Sequence, residues 1–521
     1  MKKNLLCLIA IISFIGVVKG QGAYDAIRFA RLNPGGTARS VSMGGAFGAL
    51  GGDPSSLSLN PAGLGVYRSS EFSVTPVITL GNAKSTYLNE TNTDGRGVFN
   101  FGNIGLIFSN EIPNRLNTDG FRFVNFGISL NRMADFNNRY MMTGNNRDIS
   151  RVDIWIDQSF HKTTDELTNE NGSFIYGPGL AYETYLINPL EDSEGRPFYN
   201  SFVPDLPKYN NAPEAFLRQE QTTETRGSLN EWDFSVAANY NDILYMGFTL
   251  GVPYFRYMED RTFREENVNN LGVEPGKESG FNYYEYKESY EMYGTGINLK
   301  GGIIVKPVDF LRVGISAHTP TWYPNVNFSY STSMTADVYV DDPDNDKQGF
   351  FENYSESPIN EFKYNLRTPY RLMGSLAFLF GQYGLISAEY EYVDYTNSKL
   401  KASDYSFRTE NQDIQNNYKS ANNFRIGTEW RLMSFSFRGG FNYQESPFES
   451  SDFKNAKACT YSLGVGYKNQ NVFMDLGWSL TTTNDDFYLY NYSREGLDII
   501  SDLAKNKVTL NRFLFTIGYR F

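Results

Sequence analysis

The chain has 521 residues and a net charge of −12, with 59 acidic side chains against 47 basic ones. Such acidity excludes nucleic acid and anionic membrane surfaces as partners, and it suits loops that face a cell exterior. Two cysteines and two histidines leave no cysteine-based metal site, while 37 tyrosines and 40 phenylalanines suit aromatic girdles at two membrane interfaces.

The chain opens on a charged start, Met1-Lys2-Lys3, followed by an almost wholly apolar run from Leu5 to Val18. Val18-Lys19-Gly20 places small residues at cleavage spacing, so residues 1–20 form a secretory signal peptide with Gln21 as the new N-terminus. The run is too short and too terminal for a membrane-spanning helix. Cys7 lacks the small residues that a lipoprotein signal needs before it, which excludes a lipid anchor. Cleavage leaves only Cys459, so no intramolecular disulfide forms.

Residues 21–70 do not alternate. Their centre runs from Ser40 through Met43-Gly44-Gly45-Ala46 to Asp53-Pro54-Ser55-Ser56, and Asn60-Pro61-Ala62-Gly63 follows. No Gly-Lys-Ser/Thr follows the glycines, so this is not a phosphate loop. Small residues at this density permit close backbone packing, as a compact plug inside a lumen requires.

From residue 71 on, period-two alternation predicts an all-β chain of fourteen antiparallel strands. They span 71–80, 97–109, 121–134, 229–240, 244–257, 284–306, 310–317, 364–380, 384–396, 423–432, 434–444, 459–468, 472–483 and 510–521. The first, interrupted by Pro76, has the weakest pattern. Connections alternate between short ones, such as 241–243, 381–383 and 469–471, and long ones at 135–228, 258–283, 318–363, 397–422, 445–458 and 484–509. Tight turns at one rim and long loops at the other are the asymmetry of a bacterial outer-membrane barrel. An even strand count closes the sheet and leaves no edge in lipid. The mean hydropathy of −0.44 does not oppose this, because alternating strands average their hydropathy away.

The closing strand is the clearest. Phe513, Phe515, Ile517, Tyr519 and Phe521 share one face, and Arg512, Thr516, Gly518 and Arg520 share the other. Lipid therefore meets Tyr461, Leu463, Val465, Trp478, Leu480, Phe513, Phe515 and Phe521. The lumen receives Asp475, Glu389, Glu391, Arg512 and Arg520.

The Ser-Met-Gly-Gly-Ala segment, the Asp-Pro-Ser-Ser after it, and Asn60-Pro61-Ala62-Gly63 resemble the start of the FadL/TodX family, in a variant similar to Bacteroidetes-type members. That family comprises outer-membrane channels for long-chain fatty acids and other hydrophobic compounds. The resemblance implies a fourteen-stranded barrel over 71–521 in the cell outer membrane, with an N-terminal hatch over 21–70 that carries Asn60, Pro61 and Ala62. It implies passive uptake of a hydrophobic small molecule by hatch movement and a lateral gap in the wall. Its partners would be that ligand, outer-membrane lipid and lipopolysaccharide, and the barrel-assembly machinery that recognises a terminal aromatic. No cofactor is implied. One departure is that the longest loop here is the second, whereas the family's capture groove belongs to the third and fourth. The alternative is a structural or secretion-associated barrel that docks a protein partner at the cell surface.

An enzyme is disfavoured, since neither His161 in the second long loop nor His318 at the start of the third has a serine or acid at a recognisable spacing. No metal site is expected, and Asp341 to Asp346 reads as a solvated acidic turn. A TonB-dependent receptor is excluded by the short N-terminal segment and the strand number. The second loop carries an apolar stretch from Phe174 to Pro189 and a helix-compatible Ala212 to Arg218. Folded over the mouth, the stretch would offer Tyr182, Tyr185 and Leu186 as an apolar approach to the lumen.

Overall fold

Alternating faces and paired backbones settle the architecture. The computed structural model describes residues 22–33, 35–113, 120–201, 203, 216–268, 280–342, 347–450, 453, 455–494 and 496–521. The predicted signal peptide lies outside these residues. Fourteen antiparallel strands form one closed barrel. The first five are β1 (Glu71–Tyr87), β2 (Glu90–Glu111), β3 (Phe121–Asp135, continued by Asn138–Asn146), β4 (Leu217–Tyr240) and β5 (Leu244–Glu266). Three bent strands follow: β6 (Phe281–Thr295 and Asn298–Val308), β7 (Leu311–His318 and Trp322–Asp342) and β8 (Asn360–Arg367 and Arg371–Phe380). The rest are β9 (Gly384–Asp394), β10 (Ser420–Leu432), β11 (Phe435–Gln444), β12 (Ala458–Lys468), β13 (Val472–Asn484) and β14 (Leu503–Arg520). β14 pairs with β1 from Glu71↔Arg520 to Thr86↔Lys505 and closes the wall. Phe521 and Ser70 exchange backbone hydrogen bonds of 3.0 and 3.1 Å, which ties the C-terminus to the entry of β1.

The faces follow the sequence pattern. Tyr461, Leu463, Val465, Phe513, Phe515 and Phe521 are exposed on the outside, with Trp478 and Leu480 half-buried on the same face. Asp475, Glu389 and Glu391 are buried on the inside, and Arg520 reaches Glu71 at 2.7 Å on that side. The apolar outer band makes this a membrane-spanning barrel of outer-membrane type.

Strand ends depart from the expected bounds. β1 reaches Tyr87 and turns through Leu88 and Asn89, both at positive φ, straight into β2. Pro76 is accommodated by a bulge: Thr75 pairs with Asn103 and Pro76 with Phe101, so Gly102 is the extra residue. The expected long loop at 318–363 is mostly strand, with Trp322–Asp342 continuing β7 and Lys347–Glu356 folding back on it. His318 is therefore the last residue of a strand segment and not a loop residue. Leu217 and Arg218, expected in a helix, begin β4, while residues 212–215 lie outside the described residues. Asp341 and Asp342 end β7, and 343–346 also lie outside. A helix, Arg408–Asn417, occupies part of the fourth long loop.

One physical reason covers the hidden strand. β4 has 24 residues, whereas a bilayer needs about 9–11. Its lower half presents Trp232, Phe234, Val236 and Tyr240 to lipid. Its upper half faces water on one side and the packed mouth on the other, with Arg218, Glu220, Thr222 and Glu224 alternating with Gln219, Gln221 and Thr223. Both faces are polar there, and the hydropathy period vanishes.

Replacing Phe515 by Lys should cost about 2–4 kcal/mol if the site lies at the bilayer midplane. Reversible denaturant unfolding in phospholipid vesicles measures this, with Thr516→Ser on the lumen face as the control.

Candidate functional site in the barrel lumen

Residues 22–33 and 35–67 lie inside the barrel and touch opposite walls. Helix α1 (Ala23–Ala30) buries Phe29 in stacked contact with Phe255 of β5, centroids 3.8 Å apart. Helix α2 (Ala38–Ser42) is capped by Thr37, whose hydroxyl accepts from the Ser40 N–H, and it packs on β12 and β13. Helix α3 (Ser56–Leu59) leads to a 3-10 turn, Pro61–Val66, seated on β4 and β5.

Asn60, Pro61 and Ala62 are all buried against the wall. The Asn60 side chain accepts from the Ala62 N–H at 3.1 Å and donates to the Gly48 carbonyl at 2.6 Å. It therefore caps the 3-10 turn and ties two stretches of the segment together, with Pro61 in the first-turn position where its missing N–H costs nothing. Wall glycines admit this contact. A Cβ on Gly302 would clash with the Asn60 carboxamide, and one on Gly247 would clash with the Pro61 carbonyl. Ala62 packs with Tyr245 and Ile304.

Charges that alternation directs inward hold the segment in place. Glu389 accepts the Gly48 N–H at 2.8 Å while also pairing with Arg425. Glu429 receives Arg39 of α2 at 2.8 Å and Arg438 of β11 at 2.7 Å. Arg371 joins Glu391 to the Ala30 carbonyl. His318 Nε2 lies 2.9 Å from the Leu59 carbonyl. In α1, Arg28 pairs with Asp25 at 2.6 Å and lies over the Tyr257 ring. Burial pushes the Asp25 carboxyl up to about 6, against the lowering effect of Arg28, and its Oδ2 has no hydrogen-bond partner.

The wall has a seam. β2 pairs with β3 only between Asn103↔Asn131 and Glu111↔Phe123, and from Glu90 to Gly102 it pairs with β1 alone. β3 follows β4 instead, bending at Phe136, whose N–H donates to the Gly227 carbonyl at 3.1 Å. Gly227 has φ +118°, a conformation that suits glycine at such a bulge. Where the ladder fails, the N-terminal segment substitutes: Asn33 N–H donates to Met133 O at 2.9 Å and Gly35 N–H to Arg132 O at 2.7 Å. Higher up, side chains bridge the strands, with Arg139 on Asp94 at 3.1 Å and Asn92 on Thr143 at 2.8 Å. Phe99 and Phe101 stand exposed on the outer face beside this break. Two cavities within the packed lumen measure about 20 and 30 Å³, room for about one water each.

The second loop enters the mouth as a packed unit. Leu186 is fully buried in an apolar cluster with Leu180, Phe263, Tyr284 and Met334. Tyr182 packs against that cluster and meets Tyr199 edge-on, and Tyr185 sits at φ +58° after helix Pro178–Glu183. His161 stacks on Phe160 at 3.9 Å. Among the described residues, no group of three or more His, Cys, Asp or Glu side chains is placed to hold a metal ion.

Sequence reasoning singled out Asn60 to Ala62 but not the seam, nor the arginines and glutamates that clasp the segment. Inward-facing charges on neighbouring strands were the available signal, yet their pairing needs the register.

No family model and no curated protein matches the chain. Solved structures do. A FadL homologue from Pseudomonas aeruginosa superposes with a TM-score of 0.54 at 12% identity, over 94% of this chain and 99% of that one. A TodX monoaromatic hydrocarbon channel, in a deltaS2 mutant form, gives 0.50 at 11% identity, over 93% and 98%. The toluene transporter TbuX of Ralstonia pickettii gives 0.49 at 13%, over 94% and 98%. At these identities, the first two establish a shared fold.

Asn60→Ala should leave the Ala62 N–H and Gly48 carbonyl buried and unpaired, loosening the segment by about 1–3 kcal/mol. Faster tryptic cleavage at Arg39 in the folded barrel is the expected readout. The raised Asp25 pKa adds a pH dependence. Its contribution to α1 docking is fully present below about pH 4 and is lost as pH rises through about 6. Hydrogen exchange of residues 22–31, corrected for intrinsic rates, should therefore show less protection at pH 8 than at pH 5.

Proposed function

We propose that this barrel is a passive outer-membrane channel for hydrophobic small molecules, long-chain fatty acids among them. The observation that carries the reading is the seam between β2 and β3, where a wall in lipid gives up its backbone ladder. An unpaired strand edge in a bilayer is costly. Here the β3 edge is met at Met133 and Arg132 by Asn33 and Gly35, which belong to the N-terminal segment and not to the wall. Withdrawing that segment opens a lateral path from lumen to bilayer. Residues 21–70 act as the hatch, with Asn60, Pro61 and Ala62 as its seat on the wall. The names of the structural neighbours, a hydrocarbon channel and a toluene transporter, agree with this ligand class.

Capture falls to the stretch from Phe174 to Pro189. Tyr182 and Tyr185 would meet ligand, with Leu186 holding the loop in shape from its buried position. Outer-membrane lipid and lipopolysaccharide surround the barrel, and the assembly machinery inserts it through its terminal Phe521.

Locking the seam tests the reading. Cysteines replacing Asn100 and Asp135, whose side chains meet at 3.2 Å, should join under oxidation in a Cys459→Ser background. Uptake of a radiolabelled fatty acid and of toluene by cells should fall at least tenfold when oxidised and recover on reduction. Unchanged uptake with the disulfide formed would exclude a lateral path. Tyr182→Ala with Tyr185→Ala should weaken binding of a fluorescent fatty acid severalfold at unchanged surface expression.

A further inference from the structure

Below the N-terminal segment, at the short-turn end of the barrel, lies a vestibule of about 850 Å³. Its floor is the segment itself, at Leu50, Gly51, Gly52 and Asp53, and its rim is formed by the turns at Met433 and Asn469-Gln470. In a chain of net charge −12, this chamber is basic. Seven lysines and arginines border it against four carboxylates, Asp53, Glu71, Glu429 and Asp475.

The carboxylates are committed. Glu429 alone serves Arg39, Arg431 and Arg438 at 2.7 to 2.8 Å. Asp475 shares Arg438 at 2.5 Å, and Glu71 holds Arg520 at 2.7 Å. Asp53 turns into the segment, accepting from the Thr37 hydroxyl at 2.7 Å and the Ser55 N–H at 2.9 Å. Two cations have no carboxylate partner among the described residues. Arg312 donates only to the Leu50 carbonyl, at 2.6 Å, and its Nε is buried without an acceptor. Lys468 is exposed and borders the same chamber. An uncompensated guanidinium facing a chamber of ligand size is a binding feature without a structural use.

We propose that this vestibule binds anions and receives the carboxylate or phosphate head group of an amphiphile, with Arg312 and Lys468 as the cations that take it. The inference rests on the channel reading and deepens it, since it names the polar end of the ligand. Arg312 also touches the hatch at Leu50, so an arriving oxyanion competes with that carbonyl for the same guanidinium. The occupied vestibule thus loosens one contact of the hatch with β7.

The test uses the full mature barrel in nanodiscs, with octanoate, octanol and inorganic phosphate as probes. Calorimetric titration of wild type and of Arg312→Gln with Lys468→Gln gives the affinities, and heat-modifiable gel mobility confirms the folded barrel. Octanoate should bind wild type at least tenfold more tightly than octanol, and the double variant should lose that preference. Phosphate that binds wild type, and not the variant, points to a free anion as occupant; octanoate binding without phosphate binding points to an amphiphile. Either supports the site. Equal affinity for octanoate and octanol in wild type, with no phosphate binding, overturns it, as does an octanoate preference that survives the double substitution. Octanol reports the channel separately: failure to bind octanol while phosphate binds removes the hydrophobic path and leaves the anion site standing.

Discussion

Everything in this molecule follows from the rule that a backbone in lipid must find its hydrogen bonds within the protein. Closure of β14 on β1 obeys the rule directly, and the exchange between Phe521 and Ser70 completes it at the last residue. The rule also gives the seam its meaning. Above Asn103 the edges of β2 and β3 share no ladder; the inner segment takes up the β3 carbonyls of Arg132 and Met133, and side chains bridge β2 to β3 higher up. A wall built only for stability would have continued the β2–β3 ladder upward. This one moves the obligation to Asn33 and Gly35 and to side-chain bridges such as Arg139 on Asp94, which can be made and broken without unravelling a strand.

A filled lumen needs a second device, because two backbones must pass closely without Cβ atoms between them. Small residues on both partners supply it. The Asn60 carboxamide lies over Gly302 and the Pro61 carbonyl over Gly247, so the wall is indented where the segment projects. Charge then fixes the position. Glu389 holds one wall arginine and Glu429 two, and each also holds one group of the segment, so each has a wall partner independent of the segment. Their buried carboxylates are thus neutralised by the wall alone, unlike a clasp made of isolated pairs.

The barrel was legible in the sequence because lipid and lumen impose opposite demands at period two. Phe513 to Phe521 carries that pattern without interruption. It faded in the upper strands, where residues such as Thr222, Thr223 and Glu224 of β4 meet water or a polar mouth on either face. Pro320 and Pro369 mark bends between strand segments; the predicted strand 364–380 already runs through Pro369, whereas treating Pro320 as a strand terminus assigns the continuation of β7 to a loop. The seat of Asn60 was visible as a motif, but its meaning as a cap and tie depended on Gly48, twelve residues earlier in the chain. The seam had no sequence signal at all. Nothing in Glu90 to Gly102 says that one of its edges will lack a strand; that is a property of where β3 goes.

Charge connects the second loop to the N-terminal segment. Arg151 of the second loop pairs with Glu288 at 3.2 Å, and Arg261 lies between Glu288 at 3.7 Å and Glu259 at 2.5 Å. Arg28 of α1 then reaches Glu259 at 3.6 Å and Asp25 at 2.6 Å. Charges of alternating sign thus run from the second loop across β6 and β5 to the first helix inside the lumen. Each interior member is shared by two neighbours, and all but Arg261 are largely buried. A displacement of Arg151 alters the balance at Glu288, which Arg261 redistributes to Glu259, and so to the hold on α1. In a low-dielectric interior such pairs are felt far more strongly than in water. The second loop therefore has an electrostatic connection to the first helix of the inner segment, and its middle members, Glu288, Arg261 and Glu259, are strand side chains that alternation directs inward.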